Sequence, residues 1–167
     1  MYLGIDPGKT GAIAVKIGNR MKVHNMPTTR QEMILWFQGL KTLSNKTNDP
    51  IFAVSELVHS MPGNTGKSMF TFGQWYERVL CCLSFNEIQF ELVGPHKWQK
   101  AFGILTRKKE KKDDAGNIIQ RGESKSEHKR KILIKAQSLF PSTKIGRLDN
   151  ADAVLICEHG SREFQGG

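Results

Sequence analysis

Residues 51–68, IFAVSELVHSMPGNTGKS, decide how the chain is read. An apolar run ending in Glu56 feeds a Gly-rich loop that finishes Gly66-Lys67-Ser68, the ending of a phosphate-cradling P-loop. Such a loop needs glycine at position 61, so that successive backbone N–H groups can curl round the phosphates without Cβ interference. Position 61 is Met. A P-loop enzyme also needs an Asp at the end of another strand of a larger sheet to hold Mg²⁺. The stretch is therefore read as a strand, an acid at its end and a loop. Met69, Phe72, Tyr76, Val79 and Leu83 follow as an apolar helical stripe.

Upstream, MYLGID is a short apolar run ending in Asp6, PGKTG is turn chemistry, and AIAVKI and MKVHNM read as two further strands of an antiparallel meander. Thr28 and Thr29 are cap candidates for a helix carrying Met33, Trp36, Phe37 and Leu40. A helical crossover makes the strand ending at Glu56 parallel to the first. Downstream, IQFELV is a fifth strand and PHKWQKAF a short helix opened by Pro95. Within residues 106–131, ten Lys/Arg against five Asp/Glu carry much of the charge, and DDAGNII reads either as a hairpin turn or as an irregular loop. Ile132, Ala136, Leu139 and Phe140 resume a helical stripe, and DNADAVLICEHG forms a last helix with Gly160 near its end. The expected fold is one α/β domain over residues 1–167: a five-stranded mixed sheet flanked by helices.

A chain of 167 residues can bury a core without disulfide or metal staples. A net charge of +9 favours a polyanionic partner, nucleic acid before a membrane surface. No apolar run approaches the ~20 residues of a membrane span, and MYLGIDPG has no signal-like pattern, so a soluble, intracellular protein is expected. Cys81, Cys82 and Cys157 have no zinc-ligand spacing and sit in apolar helical patterns, which reads as reduced core or near-core thiols.

Asp6 and Glu56 end strands that are expected to be parallel neighbours, so both carboxylates emerge at the edge where open α/β folds place their chemistry. Asp149 and Asp152, three apart at a helix start, share a face. Taken singly, Asp6 could be a turn residue, Asp149 an N-cap and Glu56 a solvated strand end. Together they make a cage of hard oxygen ligands for divalent cations. Two ions about 3.5–4 Å apart can activate a water and stabilise the leaving oxygen of a phosphodiester.

GIDPGKTGAIAV, ELVHSMPGNTGKSMFTFG, GPHKWQKAFGI, the Ser124-Lys125 pair before a helix ending LFP, and DNADAVLI together resemble the RuvC family of Holliday junction resolvases, in its phage-like branch. The resemblance runs over nearly the whole chain. It implies an RNase H-like fold, a homodimer, two Mg²⁺ or Mn²⁺ ions per site, paired nicks in four-way DNA junctions or more broadly in branched DNA, and a cytoplasmic setting in a bacterial or phage-infected cell. Carried over by residue, the family's acidic tetrad falls on Asp6, Glu56, Asp149 and Asp152, and Lys125 matches a basic residue near the scissile phosphate. A second basic residue is either Lys97 or Lys100. The loop after Glu56 is then expected to pass close to DNA, with Lys67 and Ser68 as phosphate contacts or a helix start.

Two departures from the family stand out. His59 occupies the position of a base-wedging aromatic, with Met61 close by, and reads equally as a base-stacking ring or as a loop histidine bonded to nearby backbone. Residues 106–124 are longer than the family's connection, so Lys108, Lys109, Lys111 and Lys112 belong either to an insertion that grips DNA or to a solvated loop. Lys129, one turn after Lys125, is a further DNA-contact candidate. Two other functions stay open: a noncatalytic DNA-branch binder, and an RNase H-like nuclease of other specificity. An actin-like phosphotransferase built on DPGKTG would need two such domains.

Overall fold

The computed structural model describes residues 1–58, 65–104, 111–120, 122–146 and 148–165, apart from the side chains of residues 119, 120, 148, 149 and 165. Three strands open the chain: β1 (Tyr2–Asp6), β2 (Ala12–Ile17) and β3 (Arg20–Asn25) form the expected meander. The turn into β2 depends on Gly11, where an added Cβ would lie 2.0 Å from the Asp6 carbonyl oxygen. Helix α1 (Arg30–Thr47) starts at Thr29, whose hydroxyl accepts from the Glu32 N–H while the Glu32 carboxylate accepts from the Thr29 N–H. This capping box satisfies two donors that a helix start otherwise leaves unpaired.

The crossover through α1 makes β4 (Phe52–Glu56) parallel to β1, with Ile5 opposite Ser55. A second crossover through α2 (Gly66–Phe85) delivers β5 (Gln89–Val93), parallel to β4. The strand order is β3-β2-β1-β4-β5. Thr65 caps α2 by accepting from the Ser68 N–H, which puts Ser68 in the first turn and not at the cap. Short α3 (Pro95–Ala101) begins on Pro95, whose missing N–H is no loss at a first helical position. DDAGNII resolves as a hairpin turn between β6 (Lys111–Lys112) and β7 (Ile118–Gln120), where Asp113 Oδ1 accepts from the Asn117 N–H at 2.7 Å. Helices α4 (Lys125–Leu139) and α5 (Leu148–Gln165) complete the chain.

The sheet separates two apolar cores. Leu3, Ile5, Ile13 and Ala53 meet α1 and α2 on one face, and Ala12, Ala14 and Val54 meet α3, α4 and α5 on the other. Helix α5 is buried at every residue from Asn150 to Ser161, between the sheet and its neighbouring helices. Gly160 therefore does not end the helix. It lies in its interior, where an added Cβ would come within 2.5 Å of Val54 Cγ2. Cys82 and Cys157 are buried as expected, whereas Cys81 is exposed on α2. Burial pushes the Cys157 thiol up to about 12, so it stays protonated.

Candidate active site

Helix α5 runs antiparallel to β1. Its C-terminal half lies by the start of the strand, where Cys157 Sγ donates to the Tyr2 carbonyl and Phe164 stacks on Tyr2. Ala153 and Cys157 lie against Gly4. The N-terminal turn of α5 consequently reaches the edge where β1 and β4 end. Gly4 and Val54 both face α5, and side chains alternate along a strand, so Asp6 and Glu56 face it too. Extending the β1–β4 register by one residue sets these two acids side by side.

Glu56 is held from α3: Trp98 Nε1–H donates to Glu56 Oε1 at 3.0 Å, and Trp98 is only 1% exposed. Asp152 is held from α4, where the Lys129 ammonium pairs with Asp152 Oδ2. Asp152 is buried, and Lys129 keeps part of its stem in solvent. Burial pushes the Glu56 carboxyl above its ordinary value. The Trp98 N–H opposes that shift, the Asp152 charge adds to it, and the Lys129 charge opposes it. Glu56 and Asp152 thus lie near enough for the charge of one to disfavour ionisation of the other.

The other predicted residues fall as follows. Asp6 is half-buried at the end of β1. Asp149 lies in the first turn of α5, with its side chain outside the described residues. Lys125 opens α4, exposed, one turn before Lys129 on the same face. Helices α4 and α5 run alongside one another in the same sense, Lys129 meeting Asp152 while Phe140 and Glu158 meet Lys16. Lys125 therefore flanks the α5 turn that carries Asp149. Lys97 reaches Glu163 at 3.5 Å, a residue eleven positions beyond Asp152 and about 16 Å further along the helix. Lys100 is exposed on α3, Lys67 and Ser68 are exposed in the first turn of α2, and Lys111 and Lys112 are exposed on β6. His59, Met61, Lys108 and Lys109 lie outside the described residues.

Among the described residues no three His, Cys, Asp or Glu side chains are grouped closely enough to hold a metal ion. The donor chemistry still fits a hard divalent cation, because Asp6, Glu56 and Asp152 offer only carboxylate oxygens and Asp152 already takes a cationic partner. Sequence reasoning missed Trp98 as a functional side chain. Its one signal was a large indole within the otherwise polar PHKWQK, where an amphipathic ring with an N–H to satisfy finds a partner when buried.

Neither a family model nor a curated protein matches the chain. Solved structures do. A structure of T. thermophilus RuvC in complex with a Holliday junction substrate is similar over 99% of this chain and 95% of that one, at a TM-score of 0.61 and 12% identity. A second Thermus thermophilus RuvC structure is similar over 99% and 96%, at a TM-score of 0.53 and 15% identity. With its five-stranded mixed sheet flanked by helices, the chain has the RNase H-like α/β fold seen in RuvC.

Proposed function

We propose that the protein is a structure-selective DNA endonuclease that nicks four-way junctions and related branched DNA. The observation that carries this reading is the placement of two held acids, Glu56 bonded by Trp98 from α3 and Asp152 paired with Lys129 from α4, toward the sheet edge where Asp6 also ends. A net charge of +9 and the likeness in fold to a RuvC that was solved with its junction substrate support DNA as the partner.

Asp6, Glu56, Asp152 and, from the first turn of α5, Asp149 would hold Mg²⁺ or Mn²⁺. Such ions, when bound, supply activation of a water and stabilisation of the leaving oxygen. The chain's own groups do the rest. Trp98 fixes one oxygen of Glu56 and leaves the other for the site. Lys125, exposed at the head of α4, meets the phosphate from the solvent side. Because Lys97 reaches Glu163, about 16 Å along α5 from Asp152, Lys100 is our choice for the second basic residue. A labelled immobile junction tests the reading: cleavage is expected with Mg²⁺ or Mn²⁺ and none with EDTA, and binding without cutting in either metal would instead make the protein a branch binder.

Trp98→Phe keeps a ring in the core and removes only the N–H. Junction cleavage is expected to fall about 10- to 100-fold, the usual effect of losing a group that orients a ligand, with junction affinity unchanged. Cleavage and affinity measured on one preparation check this, and unaltered cleavage would show that Glu56 does not depend on the indole.

Two nicks in one junction call for two sites, and a second copy of this chain is the partner we assign to the groove between α1 and α2. The groove is ≈ 1210 Å³ and is lined by Met33, Ile34 and Phe85, with Arg30, Glu77 and Arg78 also present. Phe70 and Phe85 are 69% and 79% exposed, an unusual placement for two large rings. Charges of both signs on one patch suit a two-fold interface, in which each patch meets itself. Phe85→Glu is expected to convert a dimer into a monomer by light scattering, and a monomeric wild type at micromolar concentration would remove this assignment.

A further inference from the structure

Among the described ion pairs, most join groups away from the site: Lys16 with Glu158, Lys131 with Glu123, Lys97 with Glu163. Lys129 pairs instead with Asp152, one of the acids assigned to the cation. Its charge also opposes the upward shift of the Glu56 carboxyl, so its field reaches a second acid. The physical need is clear, because acids gathered in a poorly hydrated space repel one another until something positive joins them.

Resting on the nuclease reading, we propose that Lys129 is a built-in counter-cation: in the metal-free protein its ammonium occupies the Asp152 oxygen that a divalent cation takes, and it swings out toward the DNA phosphates when the cation binds. The geometry permits the exchange. Lys129 is about one-third exposed, so its head can leave by rotation about its own side-chain bonds while α4 stays in place. Lys125 lies one turn nearer the open edge on the same face of α4, so the released ammonium joins an existing basic row. The arrangement spares the empty site from bare carboxylate repulsion, and it sets a threshold that the metal must exceed.

A plain clasp between α4 and α5 makes the opposite prediction for one observable. Were Lys129 only a clasp, removing it would loosen the acids and weaken metal binding. As a counter-cation, its removal clears a competitor and metal binding tightens.

The test uses the full chain without DNA. Free Mn²⁺ is followed by electron paramagnetic resonance during titration of wild type, Lys129→Met and Lys129→Arg. Lys129→Met is expected to bind Mn²⁺ about tenfold more tightly than wild type, as loss of a competing unit charge implies, whereas Lys129→Arg, which keeps the charge, is not. Saturating Mn²⁺ should also raise the melting temperature of Lys129→Met more than that of wild type. Single-turnover junction cleavage by Lys129→Met should nevertheless be slower. Equal or weaker Mn²⁺ binding by the folded Met variant overturns the proposal, and Lys129→Gln carries the same comparison if the Met variant does not fold. A wild type that binds no Mn²⁺ and cuts no junction overturns the nuclease reading itself; one that does both, beside a variant that gains nothing, overturns only the role of Lys129.

Discussion

Asp6→Asn should lower junction cleavage by about 10³-fold or more while leaving junction binding intact or tighter. The magnitude is that of removing a group which stabilises charge in the transition state, and the chain's geometry explains the split between the two effects. Asp6 pairs with Ala12 through its backbone, and its carbonyl oxygen packs closely against Gly11, so the fold uses the main chain of this residue. The side chain is half-buried at the end of β1, beside Glu56. Asn preserves that shape and removes the charge that a divalent cation needs. On the nuclease reading it also removes a negative charge from the edge proposed to meet phosphates, so binding is not expected to suffer. Cleavage rates and junction affinities measured side by side check this. A variant that cuts within about threefold of wild type would show that Asp6 is not part of the metal site.

The second large effect is on the fold. Gly4→Ala places a Cβ 2.1 Å from the Cys157 nitrogen, 2.3 Å from the Ala153 carbonyl oxygen and 2.5 Å from Cys157 Cα. All three are backbone atoms of a buried helix, so no side-chain rotation relieves the clash. Either α5 lifts off the sheet or β1 bends away. Overpacking of flexible side chains costs about 1–3 kcal/mol, and a backbone clash on this scale belongs with the exceptional losses of about 4 kcal/mol or more. Against a total stability of about 5–15 kcal/mol, that lowers the melting temperature by roughly 8–16 °C for a chain of this size. Circular dichroism on heating reads the change. A melting temperature within about 3 °C of wild type would mean that α5 does not lie on Gly4 as described. A folded but shifted variant would also lose cleavage, because α5 carries Asp152 to the strand ends.

Much of this frame was legible before any coordinates. The strands ending at Asp6 and Glu56, their parallel pairing through a helical crossover, a helix cap at Thr28 or Thr29 and the Pro95 start all follow from local rules that the tertiary structure obeys, and the structure sets the cap at Thr29. Other features depend on contacts that no local pattern records. Gly160 reads as a helix stop because glycine so often is one, but burial of α5 on all sides makes it a point of close approach to Val54. Cys81 and Cys82 look alike in sequence, and only the phase of α2 puts one outside and one inside. Lys125 and Lys129 are likewise two lysines of one basic helix; their packing against α5 leaves the first exposed and sets the second on Asp152. The Trp98 N–H finds Glu56 across 42 positions of sequence, a partnership that periodicity cannot signal.

The most direct measurement maps nicks at nucleotide resolution on all four strands of an immobile junction, beside a fork and a linear duplex, with wild-type protein and Mg²⁺ or Mn²⁺. The account predicts two nicks at symmetric positions in opposing strands of the junction, absent from the linear duplex and abolished by EDTA. Linear duplex cut as readily as the junction, or a junction that is bound and left whole in both metals, would contradict it.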